Sequence, residues 1–282
     1  MLFGNMPRDG GNLSMNWAER EALLTHEPNA APFICRYLGT EELINGQLRY
    51  CVWVEDGLEA EARANPALVE RFDAVAVARR NSPAAATRSW ASRSHRFVQV
   101  PGVGKVSTLA LAGVSSETRQ WLPIDLLGVG NVVSNLAFAL YDAPLWNLAL
   151  IASRLHLVWI ATVCGKLETR YRYSNTLGWN TFPVRPLTEK NKTDLTRCAE
   201  DILLAREAHF PATIADLYDP DEMPDDLRRA HERNDETLER IYVGRRFKND
   251  TERLEKLFEM YTKMTASKDT KLKAPRKGKV TA

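Results

Sequence analysis

The sequence predicts an α+β fold. A mixed region of short strands and one long helix spans residues 61–187, and an all-α region spans 188–266. Three observations carry this. Short β-branched and aromatic runs, separated by Gly and Ser, recur between residues 97 and 140. One run, 144–166, keeps a helical period throughout. After Pro186 the strand-like runs stop and only helical patterns remain. Residues 1–60 read as a connector and 267–282 as a basic tail.

The elements follow in order. The start is rich in turn formers, from Gly4 and Asn5 to Gly10, Gly11 and Asn12. A helix is expected at 17–26, since Asn16 is a good cap and residues 18–24 favour helix. Residues 48–54 (LRYCVWV) read as a strand entered through the Asn45-Gly46 turn. Residues 66–80 place Leu68, Phe72, Val75 and Arg79 on one helical stripe, closed by Asn81-Ser82-Pro83. Strands are expected at 97–100, 106–111, 120–124 and 132–140. The 144–166 helix carries Leu148, Ile151, Leu155, Trp159 and Val163 in one stripe, with Gly165 as its end signal. Residues 171–182 are aromatic and turn-rich. Helices are expected at 188–209, 225–242 and 250–266. The last has an apolar face of Leu254, Leu257, Phe258, Tyr261 and Met264, and Asn249 with Glu252 resembles a capping box. The tail from Ser267 is expected to be disordered.

Composition narrows the function classes. With 44% hydrophobic and 26% charged residues among 282, the chain reads as a soluble globular protein. Cys35, Cys51, Cys164 and Cys198 form no CxxC pair and have no metal spacing with the five histidines, which fits reduced thiols and a cytoplasmic location. The start lacks the apolar run of a signal peptide. The longest apolar stretch, 145–164, contains Asn147, Arg154 and His156, so it reads as a buried helix and not a membrane span.

Charge is unevenly spread. Residues 61–187 carry 14 basic and 7 acidic side chains, against 4 and 9 in 1–60 and 14 and 19 in 188–266. From Ala74 to Ser116 there is no acidic residue, while Arg79, Arg80, Arg88, Arg93, Arg96 and Lys105 accumulate. On charge alone a solvated basic face and a phosphate-tracking surface are equally good readings.

Catalytic motifs are missing. There is no [DN]PP[FYW] for base-amino methylation, no F-x-G-x-G for a methyl donor, and no Glu-x-Lys for a metal-dependent nuclease. Gly102-Val103-Gly104-Lys105 falls short of the phosphate-cradling GxxxxGK[ST]. The acidic run Asp216, Asp219, Asp221, Glu222, Asp225 and Asp226 lacks the glycine and spacing of a calcium loop, and reads as solvated loop and helix starts. A lone His156 on a core helix reads as a packed residue. The expectation is therefore no catalytic residue, metal or cofactor site in the chain.

Three stretches together resemble one family. They are FGNMPRDGGNL (3–13) with PFICRYLGTEELINGQLRYCVW (32–53), VSSETRQWLPI (114–124) and SRLHLVWIATVCGKLETRYRYSNTLGWNTFPV (153–184). The part from AHFPATIADLYDPDEMPDDLRRAHERND onward is similar too. The family is that of the MmeI-like single-chain restriction–modification enzymes, which fuse a nuclease, an adenine-N6 methyltransferase and a target-recognition domain. The resemblance covers essentially the whole chain and matches the recognition and C-terminal parts. It implies sequence-specific reading of double-stranded DNA beside a methyltransferase domain in cis or in trans, with S-adenosylmethionine and Mg²⁺ belonging to that catalytic portion. It also implies that Glu168 and Arg170, two apart after the long helix, read a base pair. On residues alone a local Glu–Arg ion pair is the favoured reading there. The chemistry of readout is nonetheless sound, because Glu accepts from cytosine N4 and Arg forks onto guanine O6 and N7. Arg172, Tyr171 and Tyr173 would support the contact, and Arg79, Arg80, Arg88, Arg93 and Arg96 would hold phosphates. For the two tyrosines core packing is equally good. The rival readings are a protein–protein or RNA-linked helical adaptor and a small stand-alone methyltransferase.

Overall fold

The computed structural model describes the backbone of residues 1–273 and side chains through Ala266. The elements in chain order are β1 (Leu2–Phe3), β2 (Ser14–Asn16), α1 (Trp17–His26), β3 (Ile34–Leu38), α2 (Thr40–Asn45), β4 (Arg49–Val52), α3 (Glu59–Ala62), α4 (Pro66–Arg80), α5 (Ala85–Arg88), β5 (Thr108–Ala112), β6 (Val114–Ser115), β7 (Ile124–Leu127), β8 (Asn131–Val133), β9 (Ala137–Tyr141), α6 (Trp146–Ile151), α7 (Arg154–Val163), β10 (Lys166–Leu167), β11 (Arg170–Arg172), α8 (Glu189–Glu207), α9 (Ile214–Leu217), α10 (Asp225–Val243) and α11 (Asp250–Lys273). The α+β class expected from the sequence is what the chain forms.

Helix ends follow their capping chemistry. The Asn16 side chain accepts from the Glu19 N–H while Glu19 accepts from the Asn16 N–H, closing a capping box on α1. Asn65 caps α4 and Thr188 caps α8. Gly244 ends α10 at φ +77°, a left-handed turn that a Cβ would strain.

Three small sheets are stitched together. One is antiparallel, in the order β1-β9-β5-β7. A second runs β2-β4-β3-β8, with β8 parallel to β3, and a third is β10-β11-β6. β5 leaves the first sheet at Gly113 and continues as β6 in the third. A Cβ on Gly113 would lie 2.8 Å from the Leu136 carbonyl oxygen, so only glycine lets the two segments approach.

Several expectations are corrected. The 144–166 helix is two helices, because Ser153 is extended and its hydroxyl caps α7 at the His156 N–H. The 132–140 strand is broken into β8 and β9 by the turn at Ser134–Leu136. Residues 97–100 give only a Met6–Gln99 bridge, and the 120–124 strand starts later, at Ile124. Asn45-Gly46 ends α2 and is not a hairpin turn, with Gly46 at φ +66°. Helix α11 continues to Lys273, so the first part of the expected disordered tail is helical. The rest of that tail lies outside the described residues.

Two main cores form. One packs Leu13, Phe33, Val52, Leu68, Phe72 and Val75, so residues 1–60 share a core with α4. The other runs from Leu109 through Trp159 to Leu257 and joins the strands, α6 and α7 to the C-terminal helices. A buried polar network crosses this second core. Asp235 on α10 accepts from Trp121 Nε1 at 2.7 Å and from the Arg154 backbone N–H at 2.6 Å. His231 stacks on Trp121 at 4.8 Å; its Nε2 lies 2.8 Å from the Tyr218 hydroxyl and its Nδ1 3.2 Å from the Ala152 carbonyl. Arg206 donates to Tyr218 and to the Ile124 carbonyl. These are buried polar groups, so removing one partner leaves the other unsatisfied and costs more than the bond itself contributes.

Buried titratable groups make stability depend on pH. Burial pulls the imidazoles of His156 and His231 down to about 3. Burial, with Glu239 one turn on, pushes Asp235 up to about 7 against the N–H groups it accepts from. As pH falls from 6.5, the unfolded histidines take protons that the folded ones refuse, so each removes stability. Asp235 works the other way, because its folded form holds a proton more readily than its unfolded form. Two against one leaves a net loss of roughly 2 kcal/mol between pH 6.5 and 4.5. Denaturant unfolding at the two pH values should show it, and His231→Gln and His156→Gln should each flatten the dependence. An unchanged slope in both variants would refute the assignment.

Candidate functional site

The helix α7 ends at Val163 and the chain turns back on itself as the hairpin β10–β11. Lys166 faces Tyr171 and Leu167 faces Arg170 across it. The connecting residues are Glu168 and Thr169. Glu168 has φ +57°, which two-residue hairpin turns require at the first central position and which glycine usually supplies. A glutamate held there carries backbone strain of order 1 kcal/mol or more, a cost tolerated where the side chain has a task.

Strand alternation sorts the side chains. Arg170 and Arg172 are exposed, while Tyr171 is half-buried and Tyr173 buried at 5% exposure. Tyr173 donates or accepts at 2.9 Å with His156 Nε2 and packs edge-on against Phe138. Its backbone N–H donates to the Gly113 carbonyl, and the Arg172 N–H donates to the Gly165 carbonyl. Tyr173 thus anchors the hairpin to the core and is not available to pack on a sugar; of the two readings its sequence left open, contact with DNA and core packing, the structure shows core packing. Tyr171 also leans on the core.

At the tip, Arg170 Nη2 lies 2.8 Å from Glu168 Oε2, with the two side chains 47% and 76% exposed. The local ion pair therefore exists, but at that exposure it contributes little to the fold. Both groups keep free lone pairs and N–H donors toward solvent. The neighbouring strand β6 pairs with β11, Val114 opposite Arg172. Just beyond it lies Glu117, exposed, whose pKa is held below the usual carboxylate value chiefly by the Thr169 side chain, with the charges of Lys166 and Arg170 adding to it. Nothing in the sequence pattern singles out Glu117, although it ends the acid-free stretch.

The basic segment forms a separate cluster on the other core. Arg79 is fully buried and all five of its N–H donors are satisfied by carbonyl oxygens. Nε donates to Arg8, Nη1 to Trp90 and Arg93, and Nη2 to Pro7 and Arg96, at 2.6–3.1 Å. It is thus an internal brace and not a phosphate contact, correcting its expected role. Arg96 is paired with Asp56. Arg88 folds back on the Ser82 and Pro83 carbonyls, and Arg93 lies over the Trp90 ring at 5.5 Å. Arg80 is exposed at the end of α4.

The Asp142 carboxylate already occupies the backbone N–H groups of Lys105, Val106 and Ser107. A Cβ on Gly104 would lie 2.4 Å from the Ser107 oxygen, so this glycine turn is closed on itself and does not fit a phosphate or a methyl donor. Among the described residues no group of three or more His, Cys, Asp or Glu is placed to hold a metal ion. The acidic run serves local structure: Asp216 caps α9, and Asp226 pairs with His209. Among the described residues no helix is long and apolar enough to cross a membrane.

The chain is similar to known proteins over nearly its whole length. Residues 1–186 match the family described as "MmeI, target recognition domain", and 187–268 match "MmeI, C-terminal domain". The chain is 36% identical over 263 residues to "DNA methyltransferase A" of Bacillus subtilis (strain 168), covering 93% of this chain and 30% of that protein. Its fold superposes with a TM-score of 0.88, at 33% identity, on the Type IIL restriction-modification enzyme MmeI solved in complex with DNA. That match covers 94% of this chain and 35% of that one. The chain thus spans about a third of the length of these relatives.

Proposed function

The chain belongs to the MmeI family, matching its target recognition and C-terminal domains, and on that premise we propose that it reads a specific double-stranded DNA sequence for a restriction–modification enzyme. The observation that carries this is the hairpin tip. It presents an acceptor, Glu168, and a forked donor, Arg170, side by side on a strained turn anchored to the core by Tyr173. The tip is as complementary to the major-groove edge of a C·G pair as two side chains can be: Glu168 accepts from cytosine N4, and Arg170 donates to guanine O6 and N7. Arg172, on the same outer face, continues the contact to a base or a phosphate. Methyl transfer and cleavage, with S-adenosylmethionine and Mg²⁺, belong to a methyltransferase and nuclease portion acting in cis or in trans, and the chain works in the cytoplasm beside it.

Backbone affinity comes from the basic segment, with a revised membership. Among the described residues Arg80 and Arg93 have guanidinium groups without a carboxylate partner, and they are the leading phosphate contacts. Arg88 is next, and Arg96 is already neutralised by Asp56. Replacing Arg80 or Arg93 by Gln should weaken binding to all duplexes alike and lower the log–log salt slope by roughly 0.9 for each phosphate no longer neutralised. Gel shifts of the chain on duplex DNA across a salt series measure both quantities. The same assay with single-stranded RNA tests the adaptor alternative. If duplex DNA binds no better than RNA and neither variant changes the slope, the DNA-reading assignment is wrong.

A further inference from the structure

We infer that Asp235 is a positioning residue through which the C-terminal helical domain sets the placement of the base-reading hairpin. The inference rests on the base-readout reading of Glu168 and Arg170. Two supports carry the hairpin β10–β11. Helix α7 leads into β10, and β6 pairs with β11, Val114 opposite Arg172 and Ser115 opposite Tyr171. Both supports are tied to Asp235 of α10. One carboxylate oxygen accepts from the backbone N–H of Arg154, the first residue of α7, at 2.6 Å. The other accepts at 2.7 Å from Nε1 of Trp121, on the loop that leaves β6.

The break between α6 and α7 leaves carbonyls free at the end of one helix and N–H groups free at the start of the next. Helix α10 answers both with side chains three and four apart on one face. His231 Nδ1 lies 3.2 Å from the Ala152 carbonyl, Asn234 donates to the Ala149 carbonyl at 2.8 Å, and Asp235 takes the Arg154 N–H. From there the path to the tip is short. His156, two residues into α7, holds Tyr173 at 2.9 Å, and Tyr173 directly follows β11. The helix has ten residues, a length of about 15 Å, so a tilt at Arg154 displaces the hairpin at its far end. Readout of a base edge needs placement to about 0.5 Å and 10–20°. A buried carboxylate is costly, and an apolar side chain would fill the same place without that cost. What the carboxylate offers is two acceptor oxygens for two N–H groups from different supports.

The test uses this chain on a randomised duplex library, selected for binding at a temperature where every variant is folded, then sequenced. Melting temperature and affinity for a non-target duplex are measured alongside. Asp235→Asn can accept well from only one of the two N–H groups, and Trp121→Phe keeps an aromatic ring on His231 but removes one donor. Each should lower discrimination at the base pair read by Glu168 and Arg170 by roughly three- to tenfold, more than at any other position. Affinity for the non-target duplex should stay unchanged. Both variants also lower the melting temperature, so Val75→Ala, a buried truncation in the other core, supplies a comparable loss of stability and should leave discrimination intact. Should Asp235→Asn fail to fold, Trp121→Phe alone decides. The reading itself is checked by the double variant Glu168→Lys with Arg170→Asp. If that variant moves the preference while Asp235→Asn and Trp121→Phe lower discrimination no more than Val75→Ala does, the positioning role is refuted and the readout stands. If the double variant moves nothing, both fall.

Discussion

Replacing Arg79 by Met is expected to destabilise the protein by about 3–5 kcal/mol, a large fraction of the stability of an ordinary domain. The guanidinium is wholly buried at the C-terminal end of α4, with five N–H donors meeting five carbonyl oxygens from two chain segments, residues 7–8 and 90–96. Burial lowers its pKa and the charge of Asp9 counters this, yet an arginine stays charged throughout the working pH range. Met fills much of the same volume but supplies no donor, so carbonyls of Pro7, Arg8, Trp90, Arg93 and Arg96 lose their partner inside the protein. Lys restores the charge with at most three donors and cannot fork, so Arg79→Lys should recover only part of the loss. Arg80, next in the chain but exposed, provides the control: Arg80→Met should change stability by no more than about 0.5 kcal/mol. Urea unfolding of the three variants decides it. Equal midpoints for Arg79→Met and the parent would show that the five bonds do not brace the loop.

The helices were legible because their signals are local. Asn16 caps the helix expected from it, and the stripe Leu68, Phe72, Val75 is buried as its spacing required. Arg79 completes that stripe at the fourth position, so its burial was readable. Weighing its charge above its place on the helix sent it to the surface. The break at Ser153 was hidden for a different reason. Ile151 and Leu155 stay four apart across it, so the apolar period runs on while the backbone does not. Only the N-capping preference of serine could have exposed it.

Strands fared worse because pairing is long-range. β8 exists because it lies parallel to β3, about a hundred residues earlier, and nothing within 132–140 states where that pairing ends. Residues 120–124 looked like a strand, but Pro123 lacks an N–H to donate and Trp121 turns inward to Asp235 and His231. The hairpin tip was found only through the family resemblance. From composition alone, Glu168 and Arg170 are a common local ion pair, and that pair is indeed present. What the residues could not disclose is the left-handed turn beneath Glu168 or the anchoring of Tyr173 beside it.

Exchanging the charges of the tip, Glu168→Lys with Arg170→Asp, should reverse the orientation of one base pair in the preferred DNA target. Lys reaches the guanine O6 and N7 acceptors where Glu168 met cytosine, and Asp accepts from the cytosine amino group where Arg170 met guanine. The exchange preserves the net charge of the tip and its opposite-sign pairing, so affinity for non-specific DNA should hold. Neither side chain packs in the core, at 76% and 47% exposure, so the fold should hold too. Each good base contact is worth about 1–3 kcal/mol of discrimination, so preference at that position should change by at least roughly tenfold. Neighbouring positions should keep their preference, because the phosphate contacts that set register remain. Lys forms one contact where Arg formed a fork, so the reversed preference should be weaker than the parental one. Selection from a randomised duplex library reads all of this at once. A double variant that folds, binds DNA and retains the parental base at every position would leave Glu168 and Arg170 as a surface ion pair and nothing more.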